Sequence, residues 1–211
     1  MINIQKFTFN PVQVNAFVLW DETLEAVLID PACYFREEQQ KLRDFITLNS
    51  LSPVRLLNTH GHFDHVMGNA FVEKTWGIAG EIHEQDIDLA LRSDVQAKNF
   101  SIEMKAPVNF HYFREGSIIH FGKSSLKVIH VPGHSPGGVA FHNESEKILF
   151  AGDSIFYNSI GRTDLPMGDY NLLVTAIREK LFALDENTKI YPGHGPETTI
   201  GNEKKYNPFL K

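Results

Sequence analysis

Apolar residues dominate three runs in the first thirty positions, "INIQKFTF", "VQVNAFVLW" and "EAVLID", broken at Asn10-Pro11 and Asp21-Glu22. Such runs bounded by turn residues read as strands. Helical spacing follows: Leu42, Phe45, Ile46 and Asn49 recur on an otherwise charged stretch from Arg36. Pro53 restarts the chain as the strand "VRLLNT", and residues 69–76 follow as a short helix stopped by Gly77. "GIAGEIHE" reads as a strand and residues 84–98 as a helix. Residues 99–117, with Phe100, Phe110, Tyr112 and Phe113 scattered among charges, read as a loop or short-helix insertion. Short strands return in "SLKVIHV", "GGVAFHN" and "KILFAGD". Asp169 is a suitable N-cap for a last helix burying Leu172, Leu173, Ala176, Ile177, Leu181 and Leu184. The strand "TKIYPGH" then leads into a polar tail. Strand clusters alternating with single helices, in two similar halves, predict two sheets packed together with helices outside. No linker or low-complexity segment interrupts residues 1–211, so one domain is expected.

Composition narrows the function classes. A chain of 211 residues buries a proper core. A formal net charge of -6 lacks the clustered Lys and Arg of a nucleic-acid footprint. "MINIQKFTFN" has neither the basic start nor the apolar stretch of a secretory signal, and apolar runs such as "AFVLW" are far too short to span a membrane. The single cysteine, Cys33, cannot form an internal disulfide and suits a reducing compartment. A cytoplasmic protein with no nucleic-acid or membrane partner is the expectation.

The chemistry concentrates where apolar runs end. "THGHFDH" places His60 and His62 two residues apart, so extended backbone aims both imidazoles to one side, and Asp64 and His65 follow at once. Alone, an HxH reads better as part of a histidine-rich polar loop. Three further runs stop the same way: "VPGHSPGG" at His134, "ILFAGDS" at Asp153 and "IYPGHGP" at His194. Buried charge at a strand end is costly unless paired or metal-bound. Five histidines and two aspartates are enough donors for two ions that share a carboxylate, and imidazole with carboxylate suits zinc and its first-row neighbours.

The pattern HxHxDH, with a later His in "PGHSPGG", an Asp in "AGDS" and a His in "PGH", resembles the metallo-β-lactamase superfamily. Within it the chain is similar to the glyoxalase II (hydroxyacylglutathione hydrolase) branch, in its short single-domain bacterial form, from about Ile4 to the final "NPFLK". The resemblance implies an α/β fold, an αββα sandwich of two mixed β-sheets with helices on the outer faces. It implies that His60, His62 and His134 hold one metal and that Asp64, His65 and His194 hold a second, with Asp153 bridging. Asp30, ending "VLID", matches an aspartate that supports the site from behind; a turn-forming Asp before Pro31 is the alternative. His83, His111, His120, His130 and His142 match no ligand position, and Cys33 has no matching role.

The implied cofactors are two divalent ions, Zn2+ first, with iron or manganese as alternatives. The implied reaction is hydrolysis of a small-molecule thioester such as S-lactoylglutathione, by a metal-bridging hydroxide held around Asp64 and Asp153. Main-class metallo-β-lactamases carry cysteine where Asp153 stands, so antibiotic hydrolysis is not the expected main role. "GRTDLP" departs from larger glyoxalase II proteins, which carry a lysine at the position of Arg162 and a tyrosine near Asp164. A similar segment occurs in persulfide dioxygenases, which use one iron, so that activity stands as the alternative. A non-enzymatic metal-binding protein is a third, weaker reading. Arg162 is either a clamp for a substrate carboxylate or the partner of Asp164 or Asp169. Only 17 residues follow His194 (211 minus 194), too few for the helical domain with which larger relatives grip glutathione, so permissive recognition of the thiol is expected.

Overall fold

The apolar runs become paired strands in the structure, a computed structural model that describes all of Met1–Lys211. Strands β1 (Asn3–Phe9), β2 (Val14–Trp20) and β3 (Glu25–Ile29) form an antiparallel meander. Helix α1 (Arg36–Leu48) crosses over to β4 (Ser52–Leu57), parallel to β3. The short α2 (Phe63–Val66) and α3 (Asn69–Trp76) lead to β5 (Gly80–His83), also parallel. After α4 (Ile87–Leu91) and α5 (Ser93–Lys98), β6 (Phe110–Phe113) closes the first sheet, whose order is β1-β2-β3-β4-β5-β6.

The second sheet begins with the antiparallel β7 (Ile118–Phe121), β8 (Ser124–His130), β9 (Val139–Asn143) and β10 (Ile148–Gly152). A small hairpin, β11 (Ile155–Phe156) and β12 (Ser159–Ile160), precedes α6 (Tyr170–Ala176), which continues as a π turn over Ile177–Leu181. Then β13 (Lys189–Pro192) joins β10 in parallel, β14 (Thr198–Thr199) takes the edge, and α7 (Ile200–Tyr206) ends the chain. The order is β14-β13-β10-β9-β8-β7.

The central strands of both sheets are buried on both faces, which is why β2 and β10 are almost wholly apolar. Phe17, Leu19, Ile29 and Leu57 of the first sheet meet Leu126, Val128, Phe141 and Phe150 of the second. On the outer faces, Val18, Leu28 and Leu56 pack under Leu42 and Ile46 of α1, while Ala140, Leu149 and Ile190 pack under Leu173, Ile177 and Leu181. The layers are helix, sheet, sheet, helix, as the resemblance implied.

Four expectations fail locally. Residues 99–117 are not merely an insertion, because they contain β6; His111 and Tyr112 stay exposed on this edge strand, so its pairing with β5 leaves no alternation to read. Ile118–Phe121 is a further strand for which no expectation was formed. The helix over 84–98 is broken: Glu84–Asp86 is a 3₁₀ turn, and the chain leaves helical geometry at Arg92, where the Gln96 Nε2–H donates to Leu89 O (2.6 Å). Leu172 is 45% exposed while its neighbour Leu173 is buried, because successive helical residues point in different directions and only one of the two can face the core. The tail is likewise less exposed than a polar tail reads, with Glu203 and Leu210 buried. No helix is long and apolar enough to cross a membrane.

Candidate metal centre

The sequence-singled donors reach one edge of the sandwich from both sheets. The end of β4 delivers His60 and His62 through Asn58 and Thr59, and α2 turns Asp64 and His65 inward. From the second sheet, β8 leads to His134, β10 to Asp153 and β13 to His194. Donor atoms form three trios, each within 4.8 Å: His60, His62 and His134; His60, His65 and Asp153; Asp64, His65 and His194. Asp153 links the ends, with Oδ1 3.3 Å from His65 Nε2 and Oδ2 3.6 and 3.5 Å from His134 and His194 Nε2. Gly193 is required here, since a Cβ would lie 2.2 Å from Asp153 Oδ1.

Hydrogen bonds behind the rings decide which nitrogen faces inward. His65 Nδ1–H donates to Asp30 Oδ2 (2.9 Å), so Nε2 turns a lone pair to the centre. The same Asp30 accepts from Thr59 N–H and Oγ–H (2.8 and 2.6 Å), tying the histidine loop to the end of β3. His134 Nδ1–H donates to Arg162 O (2.8 Å), leaving its Nε2 only 2.9 Å from His62 Nδ1 and 3.3 Å from His60 Nε2.

Do these residues fit cations? His65 Nε2 and Asp153 Oδ1 are buried, face each other and have no hydrogen-bond partner. Orphaned lone pairs at the centre of a donor cluster are what a bound cation satisfies, and the His/Asp set suits a first-row divalent ion. Burial and the neighbouring imidazoles hold His60 well below the ordinary histidine range and His62 at about 3, so both stay neutral and able to coordinate. In the other half burial again opposes charge, but Asp153, Asp30 and Asp64 outweigh it and raise His65, as Asp64 and Asp153 raise His194. Asp64 and Asp153 are themselves held below the carboxylate range, burial being overcome by His65 and His194. Positive charge is favoured there, whether a proton or a cation carries it.

A cleft of about 490 Å³ opens over the centre, with Phe63, Leu89, Phe100, Phe156, Ile160 and Leu165 among its walls and Arg162 as its one Lys or Arg. A wider surface groove between β1 and α1 includes none of the seven donors. Arg162 pairs through Nε and Nη2 with Asp164 (both 2.8 Å), and both side chains are exposed. His130 lies apart, donating to or accepting from no donor residue; its ring stacks on His83 (4.1 Å) and Nε2–H donates to Pro136 O (2.8 Å).

Sequence reasoning passed over Asp86 and Asn15. Asp86, fully buried, accepts from Gly61 N–H, Ser135 Oγ–H and Gly137 N–H. Asn15 donates to Pro192 O and Gly195 O on either side of His194. Neither sits in a motif, so nothing in the sequence marks them; only contact does.

Comparison with known proteins agrees with this geometry. The family model described as the metallo-beta-lactamase superfamily matches residues 9–194. The chain is 36% identical to hydroxyacylglutathione hydrolase GloC of Haemophilus influenzae, over 99% of its own length and 98% of the relative's. It superposes on the BLEG-1 B3 metallo-beta-lactamase with a TM-score of 0.89 at 34% identity, covering 99% of each chain. On TTHA1623 in a di-iron-bound form the TM-score is 0.88 at 35% identity, covering 98% of this chain and 100% of that one.

Proposed function

We propose that this chain, which belongs to the metallo-beta-lactamase superfamily, is a dinuclear metal-dependent thioester hydrolase of the hydroxyacylglutathione hydrolase kind. The observation that carries two ions is the pair of donor trios, one of three histidines and one of Asp64, His65 and His194, joined through Asp153. The likeness to GloC over nearly the whole of both chains supports the substrate class. Zinc is the first choice of metal; iron is supported by the di-iron form of TTHA1623, and manganese is compatible with the donors. A lone, buried Cys33 supports a cytoplasmic address.

Bound there, two divalent cations supply Lewis acidity toward a carbonyl oxygen and bring the pKa of a water near 7. The chain does the rest. Asp30 keeps His65 in the coordinating tautomer, and the carbonyl of Arg162 does the same for His134. Asp153 spans both halves and Asp64 adds negative charge on the His194 side. Phe63, Phe100, Phe156 and Ile160 exclude water around the acyl and thiol groups. No side-chain nucleophile is involved: Cys33 is absent from the cleft, and burial pushes its thiol up to about 12. A thiolate leaves without a general acid, since thiols ionise near about 8.5. With one cation on apolar walls, recognition of the thiol half is permissive, and thioesters of different thiols should differ by about tenfold or less in affinity.

A second reading, β-lactam hydrolysis, is favoured by the likeness to BLEG-1. Purified protein loaded with zinc, iron or manganese, analysed for metal content and assayed on S-lactoylglutathione, coenzyme A thioesters and a chromogenic cephalosporin, separates the readings. Close to two metals per chain with thioester turnover is expected. Cephalosporin turnover alone supports the second reading. A single iron with oxygen-dependent consumption of glutathione persulfide supports the dioxygenase alternative.

A further inference from the structure

The seven donors do not share one support. Asp86, in the 3₁₀ turn after β5, inserts its carboxylate between the two loops that carry the three-histidine trio. Oδ2 accepts from Gly61 N–H, between His60 and His62, at 2.9 Å, and from Ser135 Oγ–H, beside His134, at 2.7 Å. Oδ1 accepts from Gly137 N–H at 2.6 Å. A Cβ on Gly61 would lie 2.7 Å from Asp86 O, so only glycine lets the loop approach closely enough. No basic side chain pairs with this carboxylate; three donors from the two loops hold it.

The other trio is supported from the opposite side, by the β1–β2 hairpin. Asn15, 3% exposed, donates through Nδ2 to Pro192 O (3.0 Å) and Gly195 O (2.9 Å), and its N–H donates to Gly193 O (2.7 Å). His194 stands between two glycines, so its loop has little stiffness of its own, and Asn15 bonds it on both sides. Asn10, on the same hairpin, donates to Asp64 O (2.9 Å). Asn15 makes no bond to residues 60–62 or 134–137, and Asp86 bonds to nothing in the His194 loop.

We propose that Asp86 and Asn15 are positioning residues for different halves of the site: Asp86 sets the cation affinity of the His60, His62 and His134 half, and Asn15 that of the Asp64, His65 and His194 half. The inference rests on the two-ion reading above. Its consequence is that the two affinities vary independently, each through a residue that is no ligand.

The test measures Zn2+ affinity by competition with a chromogenic chelator, in backgrounds that keep one half each. His134→Ala retains the Asp64, His65 and His194 half; His194→Ala retains the three-histidine half. Asn15→Ala is expected to weaken the remaining ion about tenfold or more in the His134→Ala background and less than about twofold in the other. Asp86→Ala is expected to do the reverse. If Asp86→Ala does not fold by circular dichroism, Ser135→Ala removes one bond without orphaning a backbone N–H, and a smaller loss confined to the three-histidine half is expected. Equal weakening in both backgrounds, or none in either, overturns the proposal, because a merely structural role does not discriminate between halves. A wild-type chain that binds fewer than two Zn2+ overturns the two-ion reading itself, and is distinguished by that stoichiometry.

Discussion

Replacing Asp30 by Asn changes one atom's chemistry at a site that is 1% exposed, and the outcome follows from counting donors. The carboxylate accepts three bonds, from Thr59 N–H, Thr59 Oγ–H and His65 Nδ1–H. An amide offers one oxygen. If that oxygen stays on Thr59 N–H, the new Nδ2–H2 faces His65 Nδ1, and the ring meets it by shifting its proton to Nε2. Every group is then satisfied, so the metal-free fold loses little stability. Binding a cation requires the lone pair back on Nε2, which sets Nδ1–H against the amide N–H. Turning the amide over moves the same conflict to Thr59 N–H. One buried donor is orphaned either way, costing about 1–3 kcal/mol, or about 5- to 150-fold in affinity at 1.4 kcal/mol per decade. Chelator competition measures the affinity, and nitrogen-resolved NMR of the His65 ring reports the tautomer. Unchanged zinc affinity with the proton still on Nδ1 would refute the reasoning, as would a large loss of metal-free stability with affinity intact.

Three further outcomes are expected. His134→Ala should abolish turnover and release the ion of the three-histidine half, whereas His130→Ala, which removes the stack on His83 and one bond to Pro136 O, should lower the melting temperature and leave metal content unchanged; elemental analysis beside thermal melts checks both. Arg162→Ala should raise KM more than it lowers kcat, since the exposed side chain lines the cleft and makes no bond to a donor residue; unchanged kinetics would leave it only its pairing with Asp164. Burial pushes Asp21 up, but donors from Thr23, Ser124 and Lys123 outweigh it and hold the carboxyl well below its usual range. Its contribution is therefore present above the unfolded value of about 3.9 and is lost as pH falls through the folded one. Denaturant titrations below about pH 4 should show a shallower decline for Asp21→Asn than for wild type.

Much of this protein was legible in the chain because two local rules dominate it. Strands buried on both faces must be continuous apolar runs, so β2 and β10 announced themselves, and with them the layering. Polar donors placed at the ends of such runs have few inexpensive roles, which made His60, His62, Asp64, His65, His134, Asp153 and His194 candidates before any geometry was known. What remained hidden depends on partners distant in sequence. The edge strand β6 is a strand because β5 offers it a ladder, not because Phe110–Phe113 alternates. Arg162 has the same sequence whether it pairs with Asp164 or meets a substrate, and only the packed loop shows the pair. Asp86 contacts Gly61 across 25 residues and Gly137 across 51, and Asn15 reaches Gly195 across 180. Hydrogen bonds of that separation leave no periodicity or spacing in the chain. Which nitrogen of His65 and of His134 turns inward is decided by such bonds, to Asp30 and to the carbonyl of Arg162, and so belongs to the tertiary structure alone.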